Sequence, residues 1–98
     1  MTFTAAVVQM ASNPNDSLAT ATAAADRLRE AAANGAKLVV FPEALIGGYP
    51  KGASFGAPIG MRKPEGRAAF ARYHAAAIDL DGPEVAVLSQ ACAETGAF

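Results

Sequence analysis

The chain has 98 residues, a net charge of -1, no block of like charges and a single cysteine. That excludes the electrostatic footprint of a nucleic-acid binder, an internal disulfide and more than one small domain. Its hydrophobic content of 52% is generous, but 25 of those residues are alanine and only 20 residues are Leu, Ile, Val or Phe, so the core it can build by itself is modest.

The first residues, Met1-Thr2-Phe3-Thr4, carry neither a basic nor a long apolar segment, so no secretory signal is expected. No apolar run approaches the roughly 18 residues of a spanning helix, and the chain reads as soluble, cytoplasmic and without a membrane partner. Thr4 to Met10 is apolar without alternation, the pattern of a strand covered on both faces. Ser12-Asn13-Pro14 then predicts a helix start, with Asn13 as cap, Pro14 in the first turn and Asp16 near the positive end of the dipole. Leu18, Ala21, Ala25, Leu28 and Ala32 follow at helical spacing and predict one inward stripe. Asn34-Gly35 supplies the stop, and Lys37 to Phe41 predicts a second strand. Strand, helix and strand joined by short connections make a βαβ unit with parallel pairing.

Lys51 to Pro64 carries Gly52, Gly56, Pro58, Gly60 and Pro64 without periodicity, a loop expected to form a wall or lid. Glu65 to Ile78 predicts a helix with Phe70, Tyr73 and Ala77 on one face. Asp81-Gly82-Pro83-Glu84 reads as a capping box for a third helix, which runs to about Thr95 and stops at Gly96. The residues after Gly96 fall where the next strand of an alternating α/β pattern is expected to begin.

One carboxylate stands out. The apolar run Leu38 to Phe41 ends in Pro42, Glu43 follows, and Gly47-Gly48-Tyr49-Pro50 turns the chain. Pro42 holds Phe41 extended, which sets the direction in which the chain leaves the strand. Ligands of parallel α/β folds bind beyond the carboxyl ends of the strands. The apolar flanks also predict a desolvated carboxyl with a raised pKa, suited to a general base. The residues alone leave Glu43 open between a solvated turn carboxylate and a catalytic base.

The other reactive groups favour plainer readings. Cys92 lies in register with Val85 and Leu88 on an apolar helical stripe, with no histidine or lysine placed to make it a thiolate, so it reads as packing. His74 stands alone, and one His with one Cys gives no metal spacing. Lys51 and Lys63 read as solvated loop lysines, and Gly47-Gly48 lacks the Lys-Ser/Thr of a phosphate loop.

Residues 35 to 50 resemble the N-terminal signature of the nitrilase branch of the carbon-nitrogen hydrolase superfamily: a glycine, an apolar strand, Phe41-Pro42-Glu43, then Gly47-Gly48-Tyr49-Pro50. The likeness continues through Gln9-Met10, Lys51-Gly52, Phe55-Gly56-Ala57, Glu65-Gly66-Arg67 with Phe70 and Tyr73, and Gly82-Pro83-Glu84, and so covers essentially the whole chain. It implies hydrolysis of a nitrile to a carboxylic acid and ammonia through a cysteine thioimidate and thioester. Glu43 takes the place of the family's general base. A lysine, a second glutamate and the nucleophilic cysteine lie downstream of the matched region in the family, and Cys92 does not inherit the nucleophile's role. No metal or organic cofactor is implied, and the complete protein is expected to be a homo-oligomer acting on a small-molecule nitrile.

The fold class expected is α/β: the N-terminal βα-β-loop-αα portion of a four-layer α-β-β-α sandwich. On this reading residues 1–98 form the N-terminal part of one carbon-nitrogen hydrolase domain, inactive and poorly stable by itself. The alternatives are an amidase or carbamoylase of the same superfamily, or a non-catalytic fragment that associates with a full-length nitrilase.

Overall fold

The computed structural model describes residues 1–50, 55 and 63–98. Strand β1 spans Thr4–Val7, helix α1 Ser17–Ala33, strand β2 Ala36–Val40, helix α2 Glu65–Ala75 and helix α3 Pro83–Thr95. The chain is therefore a partial α/β unit of two strands and three helices among the described residues, in the order expected.

β1 and β2 pair in parallel, with Ala5 opposite Leu38, Ala6 opposite Val39 and Val7 opposite Val40. The regular strand is shorter than the apolar stretch Thr4 to Met10, although the Val8 N–H still donates to the Val40 carbonyl at 2.8 Å. The other edge of β2 is also used. Phe98 donates to the Lys37 carbonyl at 2.8 Å and accepts from the Val39 N–H at 2.7 Å, the slanted pattern of a parallel ladder. β2 is thus flanked on both sides, and the residues after Gly96 lie along it as the alternating pattern predicts.

One face of this sheet holds the core. Val39 and Ala36 from β2 pack with Ala25 and Leu28 of α1, Ala91 of α3 and Ala97, while Ala6, Val8 and Phe41 sit half-buried around them. α1 and α3 lie side by side on that face. Their contact is built of alanines, and small side chains let two helix backbones approach closely. Polar pairs close its two ends: Ser17 Oγ donates to Glu84 Oε1 at 2.6 Å, and Arg29 Nε donates to Glu94 Oε2 at 2.9 Å. Both pairs advance in the same direction along the two helices, so α1 and α3 run parallel, as helices over one face of a parallel sheet must. The Arg29 hydrogen bond holds the Glu94 carboxyl below its usual pKa, and Glu94 in turn raises that of Arg29. The opposite sheet face is apolar and open, with Val7 82% and Val40 47% exposed.

Both helix starts differ from expectation. α1 is capped by Asp16, whose Oδ1 accepts from the Ala19 N–H at 2.9 Å, and not by Asn13. Asn13 instead forms a turn ahead of the helix: its Oδ1 accepts from Asn15 N–H, and its carbonyl accepts from Asp16 N–H. Asp and Asn make equally good caps; here the Asn13 side chain is engaged in its own turn, and Thr20, buried on α1, takes the Asn13 N–H on its hydroxyl at 2.8 Å. At α3 the cap is Gly82 with Pro83 in the first turn and no side-chain cap bond, so the capping box of Asp81 and Glu84 does not form. Glu84 is drawn to Ser17 on α1. Two smaller differences concern the stripes: Leu18 is 41% exposed while Thr20 and Ala24 are buried, and α2 ends at Ala75 instead of Ile78.

The stops of α1 and α3 behave as expected. Gly35 and Gly96 take φ of +94° and +71°, which only glycine adopts at low cost. A Cβ on Gly96 would meet nothing within 4 Å, so Gly96→Ala isolates the backbone cost. We expect it to lower stability by about 1 kcal/mol, read as a lower urea midpoint with an unchanged slope.

Candidate active site

β2 ends at Val40, and Glu43 opens a tight turn over residues 43–47. Pro42 keeps Phe41 extended, so the strand leaves the sheet straight before it bends. Ala44 then takes a left-handed φ of 54°, unusual for a residue with a Cβ. The bend drives Leu45 inward, where it is 6% exposed, and leaves Glu43 exposed. The apolar surroundings expected for Glu43 therefore belong to its neighbours and not to the carboxylate. Phe41 and Leu45 face the helix layer, and Glu43 stands at the mouth of the turn, in solvent.

Among the described residues three cavities adjoin this turn. One of about 450 Å³ runs under it, walled by Phe41, Leu45, Ile46, Ile78 and Leu88 among others, with no ionisable group in its lining. A second, about 200 Å³, separates the turn from α2 and is walled by Ala44, Gly47, Gly48, Phe70, Tyr73 and His74. The third, about 230 Å³, lies at the far end of the turn and is walled by Gly47, Gly48, Tyr49, Arg72 and Tyr73 among others. Glu43 lines none of them. Another cavity, about 690 Å³, follows β1 and the end of α1 and shares no wall with the turn. We read it as the open flank of β1, not as a site of chemistry.

The glycine pair has a packing role. A Cβ on Gly47 would sit 3.2 Å from the Ala76 carbonyl oxygen, and Gly48, at φ +86°, lies against Pro14. The turn therefore seats on the end of α2 on one side and on the loop after β1 on the other. Among the described residues α2 has no broad contact with the sheet, α1 or α3. Only Gly66 of α2 is buried, and Phe70 and Tyr73 are half exposed, stacked around Phe55 with ring centroids 5.7 and 5.4 Å away.

Cys92 is half-buried on α3 against the core. His74 is exposed, its ring 6.3 Å from that of Phe70. Lys63 is exposed, whereas Lys51 and most of the expected loop 51–64 lie outside the described residues. Of these, His74 stands in the wall of the smaller cavity between the turn and α2, whereas neither Cys92 nor Lys63 lines the cavities beside the Glu43 turn. Among the described residues no three His, Cys, Asp or Glu side chains gather as a metal site, and no helix is long and apolar enough to cross a membrane. Sequence reasoning missed the turn's two supports. The Gly47 contact with α2 has a signal in retrospect, since a glycine with ordinary φ implies a close approach. The left-handed Ala44 has none.

Residues 4–98 match the carbon-nitrogen hydrolase family, and the chain belongs to it. Among its relatives, a nitrilase of Bradyrhizobium diazoefficiens is 65% identical over 97 residues, which is 99% of this chain and 30% of the relative. An aliphatic nitrilase of Sinorhizobium fredii is 55% identical over 98% of this chain and 31% of its own length. A bifunctional nitrilase/nitrile hydratase of Nicotiana tabacum is 54% identical over 86% of this chain and 24% of its own length. The chain thus spans less than a third of the length of these relatives.

Proposed function

We propose that residues 1–98 form the N-terminal part of one carbon-nitrogen hydrolase domain, and that the whole protein hydrolyses nitriles with Glu43 as general base. The observation that supports this most is the position of Glu43. It lies just beyond the carboxyl end of β2, inside a stretch 65% identical to a protein named as a nitrilase. The open apolar sheet face, with Val7 and Val40 exposed, supports the four-layer sandwich, in which a second sheet covers it.

In the proposed reaction the Glu43 carboxylate accepts the proton of a cysteine thiol, and the thiolate adds to the nitrile carbon. The nitrile nitrogen gains a proton, giving a thioimidate. Water adds, ammonia leaves, and a thioester remains. Glu43 activates a second water, which releases the carboxylic acid and regenerates the thiol. A lysine stabilises the tetrahedral intermediates as charge develops on them. The resemblance implies that the family's cysteine and lysine lie downstream of this span, and the half-buried position of Cys92 in the α3 packing supports reading it as a packing residue. The 98 residues by themselves are therefore expected to be inactive. The whole protein is proposed to work as a homo-oligomer without metal or organic cofactor.

A relative named as a bifunctional nitrilase/nitrile hydratase favours a second reading, in which part of the thioimidate leaves as amide. Product analysis with the full-length protein tests these readings together. Acid and ammonia from a nitrile, with no ammonia from amides or N-carbamoyl compounds, supports the nitrilase. Ammonia from amides or N-carbamoyl compounds but not nitriles would replace it by the amidase or carbamoylase alternative. Accumulating amide from a nitrile would indicate the bifunctional reading. The isolated 98-residue chain is expected to release no ammonia, and co-purification with a larger nitrilase subunit would favour a partner-dependent fragment.

A further inference from the structure

We propose that Gly47 is a positioning residue for Glu43, through which the C-terminal end of α2 sets where the carboxylate stands. The inference rests on Glu43 being the general base. It comes from three features of one short segment. Ala44, next to Glu43, is held at φ 54°, a conformation that a residue with a Cβ keeps only when its surroundings enforce it. Gly47 lies so close to α2 that a Cβ there would stand 3.2 Å from the Ala76 carbonyl oxygen, a main-chain atom that cannot rotate aside. Gly48, at φ +86°, rests against Pro14. The segment 43–48 is thus clamped between α2 and the loop after β1, and the clamp sustains the left-handed Ala44.

α2 suits this role because it makes no broad contact with the sheet or with α1 and α3. Its body stands off the core, with Phe70 and Tyr73 half exposed across a cavity from Ala44 and Gly47. Its firm seat is the junction at Ala76. A displacement of that junction is carried by main-chain atoms through four residues to Glu43. Gly47 touches neither substrate nor nucleophile in this scheme and acts only through the aim of Glu43. Orientation is costly to lose: a misplacement of about 1 Å can lower a rate by about 10²-fold.

The test uses the full-length protein and four variants. Gly47→Ala keeps an allowed φ but forces the turn and α2 apart by a few tenths of an ångström. It is expected to lower kcat for nitrile hydrolysis about three- to tenfold, with KM unchanged and the acid limb of the kcat pH profile displaced. Ala44→Gly removes the conformational penalty and folds readily, yet loosens the turn. It is expected to lower kcat at an unchanged or higher Tm. Gly96→Ala is the control: also a glycine substitution, remote from the turn, expected to lower Tm and leave kcat, KM and the pH profile alone. Should Gly47→Ala fail to fold, Ala44→Gly decides the matter. Retention of kcat within twofold in the folded variants overturns the positioning role, and so does an equal kcat loss in Gly96→Ala. Glu43→Gln separates the two levels. Full activity in that variant removes the general-base reading and this inference with it, whereas lost activity there with normal kcat in Gly47→Ala and Ala44→Gly removes the inference alone.

Discussion

Glu43→Gln in the full-length protein is expected to lower kcat for nitrile hydrolysis by about 10²- to 10⁴-fold, the range a positioned general base contributes. Glutamine keeps the size and polarity of the side chain but cannot accept the thiol proton. KM should change little, because the lost interaction belongs to proton transfer and not to binding. Folding should be indifferent to the change, since Glu43 is exposed and carries no part of the core. That separation makes the experiment clean: an unchanged thermal transition with collapsed kcat supports the base, and an active variant removes it.

Leu28→Ala is expected to cost about 2–5 kcal/mol, measured as a lower urea midpoint of the full-length protein. Leu28 is 3% exposed and lies in a cluster whose other buried members are Ala25, Ala36, Val39, Ala91 and Ala97. It is the largest of the buried side chains in that cluster. Most of its buried neighbours are alanines, which have no atoms with which to reach into the space its removal leaves, so collapse of the cavity is limited. A loss below about 1 kcal/mol would mean that α1 and α3 do not close over the sheet as described. Activity per folded molecule should survive, since Leu28 lines none of the cavities beside the Glu43 turn.

The open sheet face also bears on how these residues behave in isolation. Val7, Leu38, Val40 and Phe98 are all exposed to solvent, and the outer edge of β1 is unpaired among the described residues. Exposed apolar faces and free strand edges are association hazards. This agrees with the expectation that the isolated chain is poorly stable, and a cooperative melt of a soluble 98-residue monomer would contradict it.

What the sequence by itself determined was local. The order of strands and helices, the stops at Gly35 and Gly96, and the emergence of Glu43 beyond the second strand each depend on residues within a few positions of one another. Apolar runs, glycines and prolines act at that range, so they can be read without the fold. Family membership was legible for the same reason, carried by a contiguous signature around Glu43. Tertiary structure decided what competes across distance. Asp16 caps α1 while Asn13 is held in the preceding turn against Thr20, and Glu84 left its capping box for Ser17. The exposure of Glu43 was also decided there. Its apolar neighbours predict burial, but the left-handed Ala44, seated against α2 through Gly47, sends Leu45 inward and the carboxylate outward. A conformation imposed by a helix end some thirty residues away leaves no mark on the residues that adopt it.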